Sequence, residues 1–327
     1  MNSTLATMET QTLTVTARAE VAHGIVEWTL ADPTGKALPG YHAGAHLDVF
    51  MAPQLARAYS LTQPSAGHPT PSYVMAVALA TNSRGGSAHM HHNLQVGGMV
   101  QVGLPRNLFA MVDSDAPVLL IAGGIGITPL LAMARERQAQ GRGWRLVLAA
   151  RSRRHAAYVE TLQAMPGLLQ THFDEEHGGQ PLDVRAIMSG LDPATHVYCC
   201  GPKPLMDKVM EVGLALGHPA AQLHFESFGG EAPAPQEGDH AFVVELARSG
   251  HAVEVPVGMS ILDALETAGV IVPSVCREGS CGSCECMVIE GEVDHRDQIL
   301  SEQEQQANKS LMICVSRAKG ERLKLDV

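Results

Sequence analysis

Five of the seven cysteines fall between residues 276 and 314, and four of those have a spacing suited to metal chemistry. Cys276, Cys281 and Cys284 share one loop, C-x4-C-x2-C, and Cys314 follows after 29 intervening residues. Plant-type 2Fe-2S centres use this arrangement. Ferric ions take thiolates as soft ligands, and the loop around them needs small residues so that backbone N–H groups can turn toward the sulfides. CREGSCGSC supplies Gly279, Ser280, Gly282 and Ser283. A structural zinc remains the alternative, but zinc sites usually pair two C-x2-C knuckles. Cys286, two residues beyond Cys284, reads as a small apolar residue on a returning strand that points away from the metal.

A second group of residues has the chemistry of phosphate binding. Gly123-Gly124-Ile125-Gly126-Ile127-Thr128-Pro129 stands between the apolar run VLLIA and the helical run PLLAMARERQAQ. Pro129 replaces the third glycine of the dinucleotide fingerprint. Cys200-Gly201-Pro202 also follows a strand-like run and opens a helical one, so two C-terminal strand ends are expected to flank one crevice. No base lies within Tyr198 to Lys203 to make Cys200 a nucleophile. Arg84-Gly85-Gly86-Ser87 precedes AHMHHNLQ, and paired glycines at a helix start leave N–H groups and the helix dipole for a phosphate. Arg57-Ala58-Tyr59-Ser60 is less specific: by itself the string reads as strand packing, with a guanidinium fork of the kind that suits two phosphate oxygens. His89, His91 and His92 do not share one helical face at their spacing and read as solvated or packing residues.

These residues need elements to hold them. With 327 residues, the chain should hold two or three domains. From about 11 to 112, short alternating runs such as TLTVTARAEVA and GAHLDVFM are separated by Gly, Pro and Asn, the pattern of an antiparallel barrel or sandwich. Near Pro117 the texture becomes strand-helix alternation, which predicts a parallel sheet with crossover helices. FGGEAPAPQEGD reads as a linker. After it come AFVVELA and AVEVPV, a hairpin around Arg248-Ser249-Gly250, then SILDALETAG, a helix with Ser260 as N-cap and Gly269 past its end. The divisions are 1–112, 113–227, linker 228–238 and 239–327.

Composition narrows the function. Hydrophobic residues make up 45% and charged ones 17%, the balance of a globular protein. The net charge of −11 argues against nucleic acid, whose binding needs clustered Lys and Arg. An odd cysteine count in a chain of this size argues against a disulfide framework. The N-terminus has neither a basic start nor an apolar stretch, so no signal peptide is read and a cytoplasmic setting is expected. Ala116 to Ala134 is uncharged, but its glycines and proline predict strand, turn and helix rather than a membrane span. Acidic residues outnumber basic ones from 239 to 327. Both ordinary solubility and steering of a basic partner fit that excess.

RAYSL, RGGS, LPRNLF, GGIGITP, HVYCCGP, HFESFG, the cysteine loop and ICVSRAK occur in that order over essentially the whole chain. In this the chain resembles the phthalate dioxygenase reductase type of flavin and iron-sulfur reductase, which includes vanillate demethylase reductases and serves Rieske oxygenases. The resemblance implies three domains: an antiparallel β-barrel holding FMN, an α/β parallel-sheet domain holding NAD, and a plant-type ferredoxin domain of the β-grasp kind. It implies that Arg57 pairs with the flavin phosphate, that Tyr59 packs along the cofactor, that Ser60 hydrogen-bonds near its ring, and that Ala58 lies in the same lining. Arg84, Gly85, Gly86 and Ser87 would complete the flavin site, with Phe228 approaching from the end of the second domain. Gly123, Gly124, Ile125, Gly126, Gly201 and Pro202 would receive pyrophosphate and nicotinamide. Thr128 would sit beside the flavin ring and Cys200 near the nicotinamide, without covalent chemistry.

The strand RLVLAA ends in Arg151-Ser152 rather than in the acid that holds a free ribose 2′-hydroxyl. Asp174 is the candidate for that acid. NADH is the expected donor, with NADPH left open. NADH gives two electrons as hydride and an iron-sulfur centre accepts one, so flavin between them acts as a two-to-one transformer. A terminal Rieske oxygenase is the expected acceptor; a cytochrome, a soluble ferredoxin, or a sensor or carrier role without turnover are the rivals. No membrane partner is expected.

Overall fold

The computed structural model describes residues 9–52, 55–81, 85–228, 236, 238–270, 272, 274, 277, 279 and 282–327. Its chain divides into two units, Met1–Phe228 and Gly229–Val327.

In the first unit the alternating runs become β1 (Thr10–Ala22), β2 (Ile25–Ala31), β3 (Ala45–Ala52), β4 (Leu55–Ser60) and β5 (Tyr73–Ala78), then α1 (Gly86–Asn93), β6 (Met99–Gly103) and β7 (Arg106–Asn107). The strands pair antiparallel in the order β4-β3-β6-β1-β2-β5, with β7 on β3. Their inward side chains, among them Leu13, Trp28, Leu47, Tyr73 and Met75, form one core. The sequence pattern anticipates an antiparallel barrel or sandwich, and the antiparallel sheet is present. Among the described residues no continuous ladder closes it; β4 and β5 meet at a single bridge, Leu61 with Met75, just past the end of β4.

The strand-helix alternation becomes β8 (Val118–Gly123), α2 (Ile127–Ala139), β9 (Arg145–Ala150), α3 (Val159–Gln163), β10 (Leu168–Phe173), α4 (Val184–Met188), β11 (His196–Cys200), α5 (Lys203–Ala215) and β12 (Leu223–Glu226). All five strands are parallel, in the order β10-β9-β8-β11-β12. Every residue of the central strand β8 is buried, as a strand covered on both faces requires. The chain winds outward from β8 to β10 and then returns to place β11 on the other side of β8. The topological switch point therefore lies between the C-terminal ends of β8 and β11.

The two sheets of this unit share an apolar core, in which Ile25, Ala76 and Phe109 pack with Leu120, Leu131 and Tyr198. Polar ties reinforce it. Glu136 on α2 accepts from the Ala43 N–H at 2.8 Å and faces His42 Nδ1 at 3.0 Å. Arg135 donates to the Thr62 carbonyl at 2.7 Å, and the Tyr158 hydroxyl donates to Glu27 at 2.6 Å.

The second unit contains β13 (Phe242–Leu246), β14 (Ala252–Val255), α6 (Ile261–Thr267), β15 (Glu285–Glu290), β16 (Val293–Asp294), α7 (Glu302–Ala307), β17 (Ser310–Met312), β18 (Arg317–Ala318) and β19 (Arg322–Leu325). A mixed sheet runs β14-β13-β19-β15-β17, with β13 and β19 parallel. The expected hairpin joins β13 to β14, with Gly250 at φ +72°. Helix α6 starts where its cap was anticipated: the Ser260 hydroxyl accepts from the Asp263 N–H at 3.0 Å. Gly269 follows the helix at φ +80°. Ile261, Leu262 and Leu265 seat the helix in a core with Phe242, Val244 and Leu323. Among the described residues no helix is long and apolar enough to cross a membrane.

Candidate functional site

Strand β4 carries Arg57, Ala58, Tyr59 and Ser60, in register with Val49, Asp48, Leu47 and His46 of β3. The start of α1 lies directly over it. A Cβ on Gly86 would come within 2.7 Å of Arg57 Cγ and 3.2 Å of the Tyr59 hydroxyl oxygen, so only glycine lets the helix start approach the strand this closely. Gly85 stands at φ +91°, and the Ser87 hydroxyl accepts from the Ala80 N–H at 3.1 Å. The structure thus brings together the two segments read as phosphate-directed. Burial raises the Tyr59 phenol above its ordinary range, which keeps it neutral. Arg84 lies outside the described residues. Of the three imidazoles nearby, His91 is buried edge-on against Trp28 with Nε2 2.9 Å from the Val77 carbonyl, whereas His89 meets Asn93.

At the switch point the two glycine turns touch. Gly123 ends β8, and residues Gly124–Gly126 form a single 3-10 turn into α2, with Gly124 at φ +56°. A Cβ on Gly126 would fall 2.1 Å from the Cys200 carbonyl oxygen, and one on Gly123 would fall 2.7 Å from Pro202 Cδ. A Cβ on Gly201 would meet the Gly123 backbone at 2.9 Å. These contacts explain the glycines on packing grounds: two backbones cross with no room for a side chain. Thr128 is buried in the first turn of α2, its hydroxyl donating to the Ile125 carbonyl at 3.0 Å. Cys200 is buried at the end of β11, paired with Ala122.

Arg151 and Asp174 follow β9 and β10 on the same edge of the sheet, where the Glu175 N–H donates to the Arg151 carbonyl at 3.1 Å. Arg151 is exposed, and Ser152 is buried with its hydroxyl 2.6 Å from His155 Nδ1. Asp174 is partly exposed, 3.4 Å from His172 Nε2.

A residue that the sequence reading passed over joins the two sheets. Glu226 ends β12, and the Ser60 hydroxyl of β4 donates to its Oε2 at 3.4 Å. Burial pushes the Glu226 carboxyl up to about 8, and the Ser60 hydrogen bond only partly opposes this. Near neutrality it therefore holds a proton, the behaviour of a carboxyl placed to hold or pass one. Its only signal in sequence is its place inside HFESFG, two residues before the exposed Phe228.

In the second unit Cys284 and Cys314, 30 positions apart in sequence, are brought side by side. Strand β15 pairs with β17, Glu285 opposite Met312, and the Ile313 N–H donates to the Cys284 carbonyl at 3.4 Å. Both cysteines are buried. The loop before Cys284 turns left-handed at Arg277, Gly279 and Gly282, with φ of +61°, +71° and +75°. Left-handed residues are a component of anion-binding backbone concavities, which suits an anionic sulfur centre. Two buried cysteines beside a left-handed loop fit a thiolate-bound iron-sulfur centre. Cys276 and Cys281 lie outside the described residues. Cys286 is buried in the same core as Cys284, and burial pushes its thiol up to about 12, as it does for Cys199 in the parallel sheet.

Residues 244–319 match the family model described as 2Fe-2S iron-sulfur cluster binding domain, and residues 120–211 match that described as oxidoreductase NAD-binding domain. The chain is 40% identical to the phenoxybenzoate dioxygenase subunit beta of Ectopseudomonas oleovorans, over 99% of this chain and 100% of that one. Among solved structures it is similar to phthalate dioxygenase reductase, described as a modular structure for electron transfer from pyridine nucleotides to [2Fe-2S]. The identity there is 38%, with a TM-score of 0.73 and coverage of 97% and 98% of the two chains. An intact type IV self-sufficient cytochrome P450 monooxygenase matches at 34% identity and TM-score 0.75, with 97% of this chain spanning 41% of that longer one.

Proposed function

Because the chain belongs to the phthalate dioxygenase reductase-type family, we propose that it is the NADH-dependent reductase of a two-component Rieske oxygenase system, passing electrons through FMN and a 2Fe-2S centre to the terminal oxygenase. The observation that carries this reading is the Ser60–Glu226 contact. It ties the strand bearing Arg57 and Tyr59 to the ligand edge of the parallel sheet, so that donor and flavin segments share one seam.

When bound, flavin supplies the acceptance of a hydride and the release of electrons one at a time, and the iron-sulfur centre takes them singly. The chain's own residues bind, orient and insulate. Arg57 and the segment Arg84 to Ser87 would hold the phosphate; Tyr59 would pack along the cofactor, with Ala58 in the same lining, and Phe228 would approach it from the end of the second domain. Gly123 to Gly126, Gly201 and Pro202 would let the dinucleotide backbone approach at the switch point, with Thr128 beside the flavin ring and Cys200 near the nicotinamide. Glu226, protonated near neutrality, holds its proton at Oε1 or Oε2 and keeps a negative charge away from the seam. Asp174 would take the ribose 2′-hydroxyl and so favour NADH, with Arg151 and Ser152 alongside. Cys276, Cys281, Cys284 and Cys314 would hold the iron.

The domains of this reading are an FMN-binding antiparallel barrel over 1–112, an NAD-binding domain over 113–227, a linker over 228–238 and a β-grasp ferredoxin domain over 239–327. The Leu61–Met75 bridge favours the barrel, and a helix packed on a mixed sheet favours the β-grasp. Thiolate ligands favour a reducing compartment, hence the cytoplasm. The match to a cytochrome P450 monooxygenase favours a second reading, in which the acceptor is a haem protein.

The visible spectrum of the purified protein before and after NADH, with extracted flavin and iron quantified, tests the proposal. Bleaching of both chromophores is expected. Flavin without iron would overturn the electron-splitting role. Faster electron delivery to a P450 than to a Rieske oxygenase would select the second reading.

A further inference from the structure

Arg277 is the single non-glycine residue of the three left-handed positions described in the cysteine loop. A side chain at φ +61° is strained where glycine is not, and it persists only where its surroundings over-determine it. Here they do. The Arg277 side chain is 11% accessible, and its guanidinium donates to Asp263 Oδ1 at 2.8 Å and to Glu266 Oε1. The two carboxylates lie three residues apart on α6 and so face the same way. Asp263 is itself fixed, its Oδ2 accepting from the Ser260 hydroxyl at 2.6 Å.

The loop has a second anchor on its other side. The Gly279 carbonyl accepts from the Gln298 N–H at 3.0 Å, and a Cβ on Gly279 would meet Val315 Cγ2 at 2.6 Å. The arginine clamp and that anchor hold opposite sides of the described part of the loop. The guanidinium also lies within electrostatic reach of Cys314, the remote cysteine.

We propose that Arg277 is the positioning residue of the iron-sulfur loop: clamped to Asp263 and Glu266, it fixes its own left-handed turn and, with the Gly279 anchor, the described part of the loop leading to Cys284. This rests on the iron-sulfur function proposed above. It predicts an order that backbone preference alone would reverse. Glycine suits the turn better but has no clamp, and lysine keeps the charge without the two-pronged fork.

The test uses the full-length holoprotein as wild type, R277G, R277K and the double variant D263N/E266Q, which leaves the loop sequence intact. Visible circular dichroism, the midpoint potential and the half-life of bleaching in EDTA are measured, with flavin content reporting the folding of the remaining chain. R277G and D263N/E266Q should bleach at least about tenfold faster than wild type, the loss of two charged hydrogen bonds, with an altered dichroism. R277K should fall between. A wild-type spectrum and half-life in R277G would overturn the proposal, and if R277G fails to fold, the same result in D263N/E266Q overturns it. Absence of iron from the wild type would instead bring down the iron-sulfur reading itself.

Discussion

Replacing Glu226 by glutamine keeps the side chain's shape and removes its ionisation. Burial sets the native carboxyl at about 8, against an ordinary value of 4.5. At pH 7 roughly nine molecules in ten then carry the neutral acid, which glutamine mimics. An acid whose value is raised in the folded state favours folding in its protonated form. Its stability contribution is full below about 4.5 and declines as pH rises toward 8, after which the deficit is constant. From pH 6 to pH 9 the wild type should lose as much as about 3 kcal/mol relative to Glu226→Gln. Both tryptophans, Trp28 and Trp144, are buried in the first unit, so their fluorescence in a urea titration reads this unit alone. Rapid mixing with NADH gives the second readout: wild-type flavin reduction should change with an apparent value near 8, and the variant should lack that limb while matching wild type at pH 6. Parallel stability curves for the two proteins, or an unchanged alkaline limb in the variant, would refute the assignment.

Other substitutions probe the remaining contacts. Gly126→Ala places a methyl group on the Cys200 carbonyl; it should cost about 1–3 kcal/mol and raise the KM for NADH several-fold without changing iron content, and an unaltered KM counts against the switch-point site. Glu136→Ala strips the acceptor from the buried Ala43 N–H and should lower stability by about 1–3 kcal/mol in the tryptophan titration. Cys286→Ala should retain full iron and the wild-type visible spectrum, whereas Cys314→Ser should lose most of its iron and its cytochrome c reductase activity while still passing electrons from NADH to ferricyanide. Equal iron in those two variants would contradict the ligand assignment.

What the sequence disclosed was set by the range of the interactions involved. Local signals read well: Ser260 as a cap, Gly250 in its hairpin, and VLLIA as an apolar strand before a glycine turn depend on neighbours a few residues away. The two glycine turns were legible as a pair because each follows a strand and opens a helix. Their contact at 2.1 Å between a notional Gly126 Cβ and the Cys200 oxygen depends on strand order, which no local pattern encodes. Glu226 was missed for the same reason. Its environment is made by Ser60, 166 residues away, and an acid at the end of a short strand reads as surface. Arg277 was hidden by its letter: an arginine in a loop looks solvated until α6 is seen to bring Asp263 and Glu266 to it. Alternation anticipated a barrel or a sandwich without choosing between them, because it specifies faces rather than ends; among the described residues the edge strands meet only at Leu61 and Met75.

Phe109, Tyr198, Ile25 and Leu120 belong to a single apolar cluster that crosses from the antiparallel to the parallel sheet. Recombination among reductases of this kind therefore has a preferred cut. A crossover near residue 112 would pair surfaces that never adapted to each other and strand greasy side chains from both parents. A junction after Phe228, at the boundary between the two units, leaves that cluster whole, so a shuffled library made there should yield more soluble chimeras than one cut near residue 112 and could fit a foreign electron outlet to an existing hydride inlet.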